Sequence, residues 1–155
     1  MIRTINSNKK QFLPLLLLAD EQESMIDRYL ERGELFVLED GGSICTVAVV
    51  TDEGGGLCEL KNLATTPADQ QKGYGRAMVD FLCRHYSSRF HTIQVGTGDS
   101  PLTLPFYESC GFRRSHCIPN FFTEHYDHPI FEAGKQLRDM IYLKKPLLNL
   151  EDSKR

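Results

Sequence analysis

The sequence contains no run of apolar residues that approaches the roughly 20 needed to span a bilayer. It also has no basic stripe: 18 Lys and Arg residues stand against 21 Asp and Glu residues, so the charge gives no reason to expect a nucleic-acid partner. Internal repeats, linkers and low-complexity tracts are missing, and the hydrophobic share of 41% is ordinary. These absences argue against a membrane protein, a nucleic-acid-binding protein and a disordered chain.

The five cysteines form no Cys-x-x-Cys pair, and their number is odd. They are scattered through apolar segments, which predicts small buried hydrophobic residues in a reducing compartment. Residues 9–18 superficially resemble a signal peptide, but the apolar run is short, contains Pro14 and meets Asp20 and Glu21 without a small-residue cleavage site. We therefore expect a cytoplasmic protein.

The pattern of apolar residues and turns predicts one α/β domain over residues 1–146 and a tail over residues 147–155. Residues 44–50 are apolar at alternate positions of both sets, so both faces of their strand are apolar. This strand is therefore expected at the centre of a sheet with both faces covered. Strands are predicted over residues 1–5, 34–39, 43–51, 57–66, 91–96, 112–117 and 137–144. Helices are predicted over residues 11–19, 22–32 and 102–110, and an amphipathic helix is predicted to follow residues 70–76 and to extend to Tyr86.

The most informative stretch is a glycine-rich loop between a predicted strand and an amphipathic helix. A helix start holds unpaired N–H donors and a partial positive charge, and glycines let a guest approach the bare backbone, so the expected guest is an anion such as phosphate. Two common signatures fail here, because a Walker loop needs Lys and Ser/Thr after Gly75, and a dinucleotide fingerprint needs a small residue where Met78 stands. The loop residues are Gln70, Gln71, Lys72, Gly73, Tyr74, Gly75 and Arg76.

The segment Gln70-x-x-Gly73-x-Gly75 resembles the acyl-CoA signature of the GNAT superfamily of N-acetyltransferases. Residues 60–67 are similar to the strand that precedes this loop in the family, and residues 106–112, Phe-Tyr-Glu-Ser-Cys-Gly-Phe, are similar to its YExxGF segment. The resemblance implies an α+β fold with a mixed, mostly antiparallel central sheet of six or seven strands. That sheet is expected to splay between strands 4 and 5 and to be flanked by about four helices.

The same resemblance implies that acetyl-CoA binds where the two strands splay apart. Its pyrophosphate is expected on the backbone N–H groups of residues 71–76. Many family members carry an asparagine before the YExxGF segment that contacts the pantetheine arm; this chain has Asp99 and Ser100 there, and Ser100 is the candidate we assign. The rest of the pantetheine arm is expected along the strand edge at Leu63, Ala64 and Thr65.

Acetyl transfer needs an uncharged amine, whereas alkylamines have pKa values near ~10.4 and carry a proton at neutral pH. Glu59 is the candidate base: it is a carboxylate inside an apolar strand, and its position looks like that of the glutamate base in the histone-acetylating branch of the family. Pairing with Lys61 or another cation is the alternative role for Glu59. Tyr107 is the candidate acid for the leaving thiolate, with packing under the cofactor as the alternative.

The acceptor is expected between the first two helices and residues 113–136, a segment rich in aromatic and acidic side chains. This arrangement predicts an acidic-rimmed pocket for a small cationic amine, with a solvated loop as the alternative. His125 and His128 also suggest a metal site, but no second ligand cluster has recognisable spacing, so no metal is expected. The acidic residues concerned are Asp20, Glu21, Glu23, Asp27, Glu124, Asp127 and Glu132.

The sequence therefore predicts an N-acetyltransferase that moves an acetyl group from acetyl-CoA to a primary amine by direct attack. Its expected partner is a small-molecule or peptide amine, with no nucleic acid and no membrane, and an apolar edge or tail permits a homodimer. A protein of the same fold that binds or senses acyl-CoA without turnover is the alternative. The presence of both Glu59 and Tyr107 favours the enzyme.

Overall fold

A computed structural model describes residues 1–148 of the chain. The strands are β1 (Ile2–Ile5), β2 (Glu34–Asp40), β3 (Ser43–Gly54), β4 (Leu57–Thr65), β5 (Thr92–Gly98), β6 (Arg113–Ile118), β7 (Phe131–Glu132), β8 (Lys135–Gln136) and β9 (Met140–Pro146). The α-helices are α1 (Leu13–Leu16), α2 (Glu23–Ile26), α3 (Tyr74–Tyr86), α4 (Leu104–Ser109) and α5 (Phe121–His125). Short 3-10 turns occur at Lys9–Phe12 and Pro67–Asp69.

Seven strands form one sheet in the order β1-β2-β3-β4-β5-β9-β6. All neighbouring pairs in it are antiparallel except β4 and β5, which are parallel. β7 and β8 form a separate hairpin. The predicted mixed, mostly antiparallel sheet is confirmed, and the five helices of the described part agree with the expected number of about four.

β4 and β5 are neighbours over only part of their length. Their parallel pairing ends with Leu60 opposite Val95. Beyond this point β4 continues to Thr65 alongside β3, while β5 continues to Gly98 alongside β9. The two strands therefore diverge, as expected between the fourth and fifth strands.

A β-bulge at Lys61 accompanies this divergence. In the pairing of β3 with β4, Val49 lies opposite Asn62. The next residue of β3, Val50, lies opposite Leu60, so Lys61 is an extra residue on β4. Because a bulge bends its strand and increases the local twist, and this one follows directly on the last residue paired with β5, it gives a local cause for the splay.

The sheet is covered on both faces. α3 and α4 pack on one face, where Phe36, Met78 and Tyr86 belong to the larger hydrophobic cluster. α1, α2 and the turns after them pack on the other face, in a cluster that includes Leu16 and Ile26. β3 is buried over residues 45–51, which confirms its predicted central position.

The first two predicted helices are shorter than expected. Residues 11–19 are α-helical only in α1. The helix ends at Leu16, whose carbonyl accepts hydrogen bonds from the N–H groups of Ala19 and Asp20. The Asn62 side-chain amide also donates to this carbonyl, at 3.0 Å. Residues 22–32 are α-helical only in α2 and continue as turns. The Lys9 ammonium group ends these turns by donating to the carbonyls of Leu30, Glu31 and Gly33.

The C-terminal half differs from the predictions in three places. The last strand runs over β9 rather than residues 137–144, because the Leu137 N–H bonds to the Ile130 carbonyl at 2.8 Å instead of joining the sheet. The segment 113–136 contains α5 and the β7–β8 hairpin, which the sequence did not predict. α4 begins at Leu104 rather than at residue 102 and accommodates Pro105 in its first turn, where the missing N–H costs no hydrogen bond.

The cysteine prediction holds for most positions. All five thiols are free. Cys45, Cys58 and Cys110 are buried and Cys83 is half-buried, whereas Cys117 is exposed on β6, contrary to the prediction.

The described chain ends inside the predicted tail. Leu147 is buried, and its N–H donates to the His91 carbonyl at 2.8 Å, so this first residue of the predicted tail packs against the domain. Residues 149–155 lie outside the described part. Within residues 1–148, no helix combines the length and the hydropathy that a membrane crossing needs.

Candidate active site

The start of α3 presents a set of backbone donors to solvent. Gly73 caps the helix with a φ of 87°, and Gln71 also has a positive φ of 64°. Among the hydrogen bonds of residues 1–148, none uses a backbone N–H of residues 71–76 as donor. The loop is exposed or half-buried throughout, and Lys72 and Arg76 stand at its surface. This part of the chain therefore combines free donors, the positive end of a helix and two cations, which suits a pyrophosphate.

The remaining loop side chains fix this geometry. Gln70 donates its side-chain amide to the Thr65 carbonyl at 3.2 Å, which ties the loop to the end of β4. The Tyr74 hydroxyl donates to Asp40 at 2.6 Å. A Cβ at Gly75 would meet Phe106 only at ordinary contact distance, 3.4 Å, so close approach to the sheet does not by itself require this glycine.

The edge of β4 that faces the splay carries unpaired backbone groups. The Thr66 N–H donates to Cys45 on β3, and backbone groups alternate in direction along a strand. Ala64 therefore points its N–H and carbonyl toward β3, whereas Leu63 and Thr65 point theirs into the gap. Of the three predicted pantetheine contacts, Leu63 and Thr65 have their backbone groups directed toward the splay.

Tyr107 lies in α4 with its ring between two other aromatic rings, Phe106 at 5.1 Å and Phe112 at 5.7 Å between centroids. The side chain is buried, and burial raises the pKa of its hydroxyl, with nearby Cys110 and Glu132 contributing in the same direction. A raised pKa keeps the phenol protonated at neutral pH, which a proton donor requires.

Glu59 lies in the paired part of β4 and is only 4% exposed. Both of its carboxylate oxygens are engaged, one by the Gln94 side-chain amide and the other by the Lys61 ammonium group at 2.7 Å. The alternative role predicted for Glu59, pairing with Lys61, is therefore present in the structure. Burial, with the negative charges of Glu59 and then Glu53, raises the pKa of Tyr142 to about 12.

The structure does not join Glu59 to Tyr107. Within residues 1–148 no hydrogen bond connects them, since the Glu59 oxygens are engaged by Gln94 and Lys61. Ser100 is also placed differently from the prediction: it is 1% exposed, and its hydroxyl accepts the Leu102 N–H at 3.1 Å before α4. The predicted pantetheine contact of Ser100 stays a prediction, and this burial gives it no support.

A buried polar network closes the sheet face opposite α3. Asp20 accepts hydrogen bonds from the hydroxyls of Tyr29 at 2.9 Å and Tyr126 at 2.6 Å. The Tyr29 oxygen in turn accepts the Asn62 side-chain amide at 3.1 Å. Burial raises the pKa of Asp20 in spite of these two hydroxyl donors. The network joins the loop after α1 to the residue that follows α5, so these two segments form one wall above β4.

The predicted acidic rim is largely neutralised by internal partners. Lys10 bridges Glu23 and Asp27. His128 bridges Glu21 at 3.0 Å and Asp127 at 2.5 Å. Hydrogen bonds to Asp127 and Glu21 raise the pKa of His128, which favours its charged form. His125 and His128 do not belong to a group of three or more potential metal ligands within residues 1–148.

Comparison with known proteins decides the family. The model of the acetyltransferase (GNAT) domain matches residues 31–114. The chain is also 39% identical over 131 residues to a Bacillus subtilis (strain 168) protein described as the uncharacterized N-acetyltransferase YvbK, a match that covers 83% of this chain and 84% of that protein. The chain belongs to the GNAT family. It is an N-acetyltransferase that uses acetyl-CoA.

Solved structures of GNAT proteins agree with this assignment. A Bacillus subtilis acetyltransferase in complex with CoA is 36% identical with a TM-score of 0.87, and the match covers 95% of this chain and 98% of the other. A GNAT acetyltransferase from Elizabethkingia anophelis with acetyl-CoA bound is 31% identical with a TM-score of 0.88, covering 95% and 97%. An IAA acetyltransferase from Bacillus cereus is 33% identical with a TM-score of 0.87, covering 95% and 99%.

Two features near the acceptor side escaped the sequence reasoning. Asn62 lies next to the bulge and links three segments through its side-chain amide, yet in sequence it is one polar residue in a strand. The β7–β8 hairpin positions Glu132, and its signal was the short Ala133-Gly134 pair between the two strands. Because both strands contain only two residues, period-two alternation could not reveal them.

Proposed function

We propose that this GNAT enzyme acetylates a primary amine on a small acceptor by direct attack of the amine on the thioester of acetyl-CoA. The proposal rests on two sets of backbone groups. One is the N–H groups of residues 71–76, and the other is the edge of β4 beside the splay, beyond its pairing with β5. The first surface suits a pyrophosphate, and the second suits an extended amide-bearing arm. The acetyl thioester would then lie near the end of α4.

In this proposal, the loop of Gln70, Gln71, Lys72, Gly73, Tyr74, Gly75 and Arg76 holds the pyrophosphate. Leu63 and Thr65 bond the pantetheine arm, and the backbone at this edge polarises the acetyl carbonyl. Donors of this kind are typically worth ~3–4 kcal/mol in acyl transfer. Tyr107 donates its phenolic proton to the departing thiolate.

The acceptor must lose a proton, and Glu59 is the first carboxylate to consider for this step. Glu59 is the base that the sequence proposes, but it must act while paired with Lys61 and Gln94. Both carboxylate oxygens of Glu59 are already engaged by these two donors, so an acceptor amine finds no unengaged oxygen to approach. Glu59 therefore serves as base only if the acceptor or a conformational change displaces one of these partners.

Release of free CoA thiol from acetyl-CoA, measured with a panel of primary amines, tests the proposal. Tyr107→Phe is expected to lower turnover about 10²-fold, the lower end for general acid–base groups, with CoA affinity nearly unchanged. Gly54→Ala, at the far end of the sheet, is the matched control for handling and folding. CoA binding without turnover on any amine would favour the acyl-CoA-sensing alternative. Full turnover by Tyr107→Phe would remove the acid role.

The acceptor, the homodimer and the cytoplasmic location remain predictions. A small acceptor is favoured because the wall formed by Asp20, Tyr29 and Tyr126 closes over the sheet and restricts access from above. Mass-spectrometric identification of acetylated products from a cell extract treated with the enzyme and labelled acetyl-CoA would test the acceptor class. Acetylation confined to large proteins in that extract would contradict it.

A further inference from the structure

Glu132 is held by a tight hairpin. It ends β7, and β8 begins at Lys135, so only two residues connect the strands. Both have positive φ angles, 52° for Ala133 and 75° for Gly134, which is the geometry of the two-residue turns that match strand twist. The position of Glu132 is therefore set by backbone pairing rather than by a free loop.

The hairpin is anchored to the main sheet. Leu137, next to β8, is buried with Ile130 and Phe122 in a small hydrophobic cluster. A Cβ on Gly98, at the end of β5, would lie 2.5 Å from a methyl carbon of Leu137, so the absence of a side chain there makes room for this anchor. Lys135 also pairs with Asp99 at 3.2 Å. These contacts hold the hairpin beside the end of β5, where the sheet is splayed.

One oxygen of Glu132 is buried without a partner. Within residues 1–148, its Oε2 atom has no hydrogen-bond partner, and the side chain takes part in no ion pair. The other such atom in the described part is the Asn62 Oδ1 atom. Leaving a buried acceptor unsatisfied is unfavourable, and more so for a charged group, so such atoms often mark a place for a ligand or water.

The charge of Glu132 reaches the proposed acid, Tyr107. Burial and neighbouring Cys110 raise the pKa of the Tyr107 hydroxyl, and the negative charge of Glu132 contributes further. No hydrogen bond joins Tyr107 to Glu132 within residues 1–148. Unlike the Glu59 carboxylate, which Lys61 and Gln94 engage, Glu132 keeps its Oε2 atom unpartnered within residues 1–148, in a hairpin anchored beside the end of β5.

We propose that Glu132 binds the ammonium group of the acceptor and accepts its proton, so that the substrate is a cationic primary amine. This inference rests on the proposed acetyl transfer to an amine. The carboxylate takes one proton from the ammonium group, and the freed nitrogen lone pair forms the C–N bond to the acetyl carbon as the C–S bond breaks. The sulfur receives the Tyr107 proton, and the phenolate regains a proton from the nitrogen. The Glu132 proton then leaves to solvent.

The first test measures binding alone, with n-butylamine and n-butanol as probes, by NMR titration of the enzyme saturated with CoA. The wild type is expected to bind the amine about tenfold more tightly than the alcohol, because a hydrogen bond between charged groups is stronger than one to a neutral group. Glu132→Gln is expected to lose this preference. Glu31→Gln, which changes an exposed glutamate between α2 and β2, is the matched control and should keep it.

The second test compares turnover of n-butylamine with that of 2,2,2-trifluoroethylamine, which is largely uncharged at neutral pH. If Glu132 accepts the proton, Glu132→Gln lowers turnover of butylamine about 10²-fold and has little effect on the weakly basic amine. Raising the pH toward the butylamine pKa of ~10.4 should restore part of the lost rate. Equal losses on both amines would indicate a structural role and overturn the proposal. The same comparison with Glu59→Gln shows which carboxylate is the base.

The outcomes separate this inference from the proposed function. In one outcome, only Glu132→Gln loses the preference for the amine over the alcohol, and no amine is turned over. This outcome supports the Glu132 site and overturns the transfer proposal. Normal turnover and unchanged ammonium preference in Glu132→Gln overturn the Glu132 site and leave the transfer proposal standing. Thermal melting and CoA affinity of each variant show whether it is folded. If Glu132→Gln fails to fold, Glu132→Asp replaces it in the test. Because aspartate has a side chain shorter by one methylene, this variant should show a raised KM for butylamine. An unchanged KM would contradict the site.

Discussion

The ammonium group of Lys61 lies 2.7 Å from the carboxylate of Glu59 on the same strand. Lys61 is the bulged residue of β4, and the bulge follows the last residue paired with β5. The residue that breaks the strand pairing is therefore also the cation that balances the buried charge next to it. The opening of the splay and the neutralisation of Glu59 are two consequences of one insertion in the strand register.

This pairing predicts that Lys61→Met destabilises the protein by about 2 kcal/mol, since it leaves the buried Glu59 without its cation while Gln94 still donates to it. The double variant Glu59→Gln/Lys61→Met should recover most of the loss, because no buried charge remains. Urea denaturation gives the free energy of unfolding of each variant. Lys135→Met breaks an exposed pair with Asp99 and should cost at most about 0.5 kcal/mol. A double variant as unstable as Lys61→Met alone would contradict this account.

The loop before α3 predicts a specific loss of CoA affinity. Gly73 has a φ of 87° and open space where a Cβ would lie, so Gly73→Ala adds backbone strain and a methyl group facing the site of the pyrophosphate. We expect CoA affinity, measured by isothermal titration calorimetry, to fall about tenfold, equivalent to about 1.4 kcal/mol. Gly54, the last residue of β3, has a similar φ of 83° and open space, so Gly54→Ala should cost stability without affecting CoA. Equal CoA affinity for the two variants would argue against the loop as the pyrophosphate site.

The hairpin turn stores backbone strain at Ala133. Its φ of 52° is unfavourable for a residue with a side chain, so Ala133→Gly is expected to raise the free energy of unfolding by about 0.5–1 kcal/mol. Ala77→Gly in α3 is the matched control and should lower it by about 1 kcal/mol, because glycine weakens a helix interior. Chemical denaturation measures both. Destabilisation by Ala133→Gly comparable to that by Ala77→Gly would show that the turn is not strained.

The His128 bridge predicts a pH-dependent contribution to stability. Its pKa is raised by Asp127 and Glu21 above the ordinary value of 6.5, so the charged bridge stabilises the fold fully below pH 6.5. The contribution is lost as the pH rises through the raised pKa. The stability difference between wild type and His128→Gln should therefore be larger at pH 6 than well above the raised pKa, and salt should reduce it. His125→Gln, which makes no ion pair within residues 1–148, should show no such trend.

Local signals in the sequence were sufficient for the elements that we propose bind the cofactor. The buried residues Met78, Val79, Leu82 and Tyr86 recur at helical spacing, and Gly73 marks the helix start, so α3 was predictable. The wall above β4 was not predictable in the same way. Asp20, Tyr29 and Tyr126 are connected across more than 100 residues of sequence, and no local pattern encodes that contact.

The sequence by itself determined the order along the chain of the seven strands of the main sheet, the glycine-rich start of α3 and the family, because each depends on neighbouring residues whose spacing has a physical meaning. Only the tertiary structure decided which carboxylates are free. Glu59 is engaged by Lys61 and Gln94, five of the seven predicted rim acids have partners, and Glu132 keeps a buried oxygen without a partner among residues 1–148. The charge state and availability of a side chain depend on what packs against it, and those partners come from distant parts of the chain.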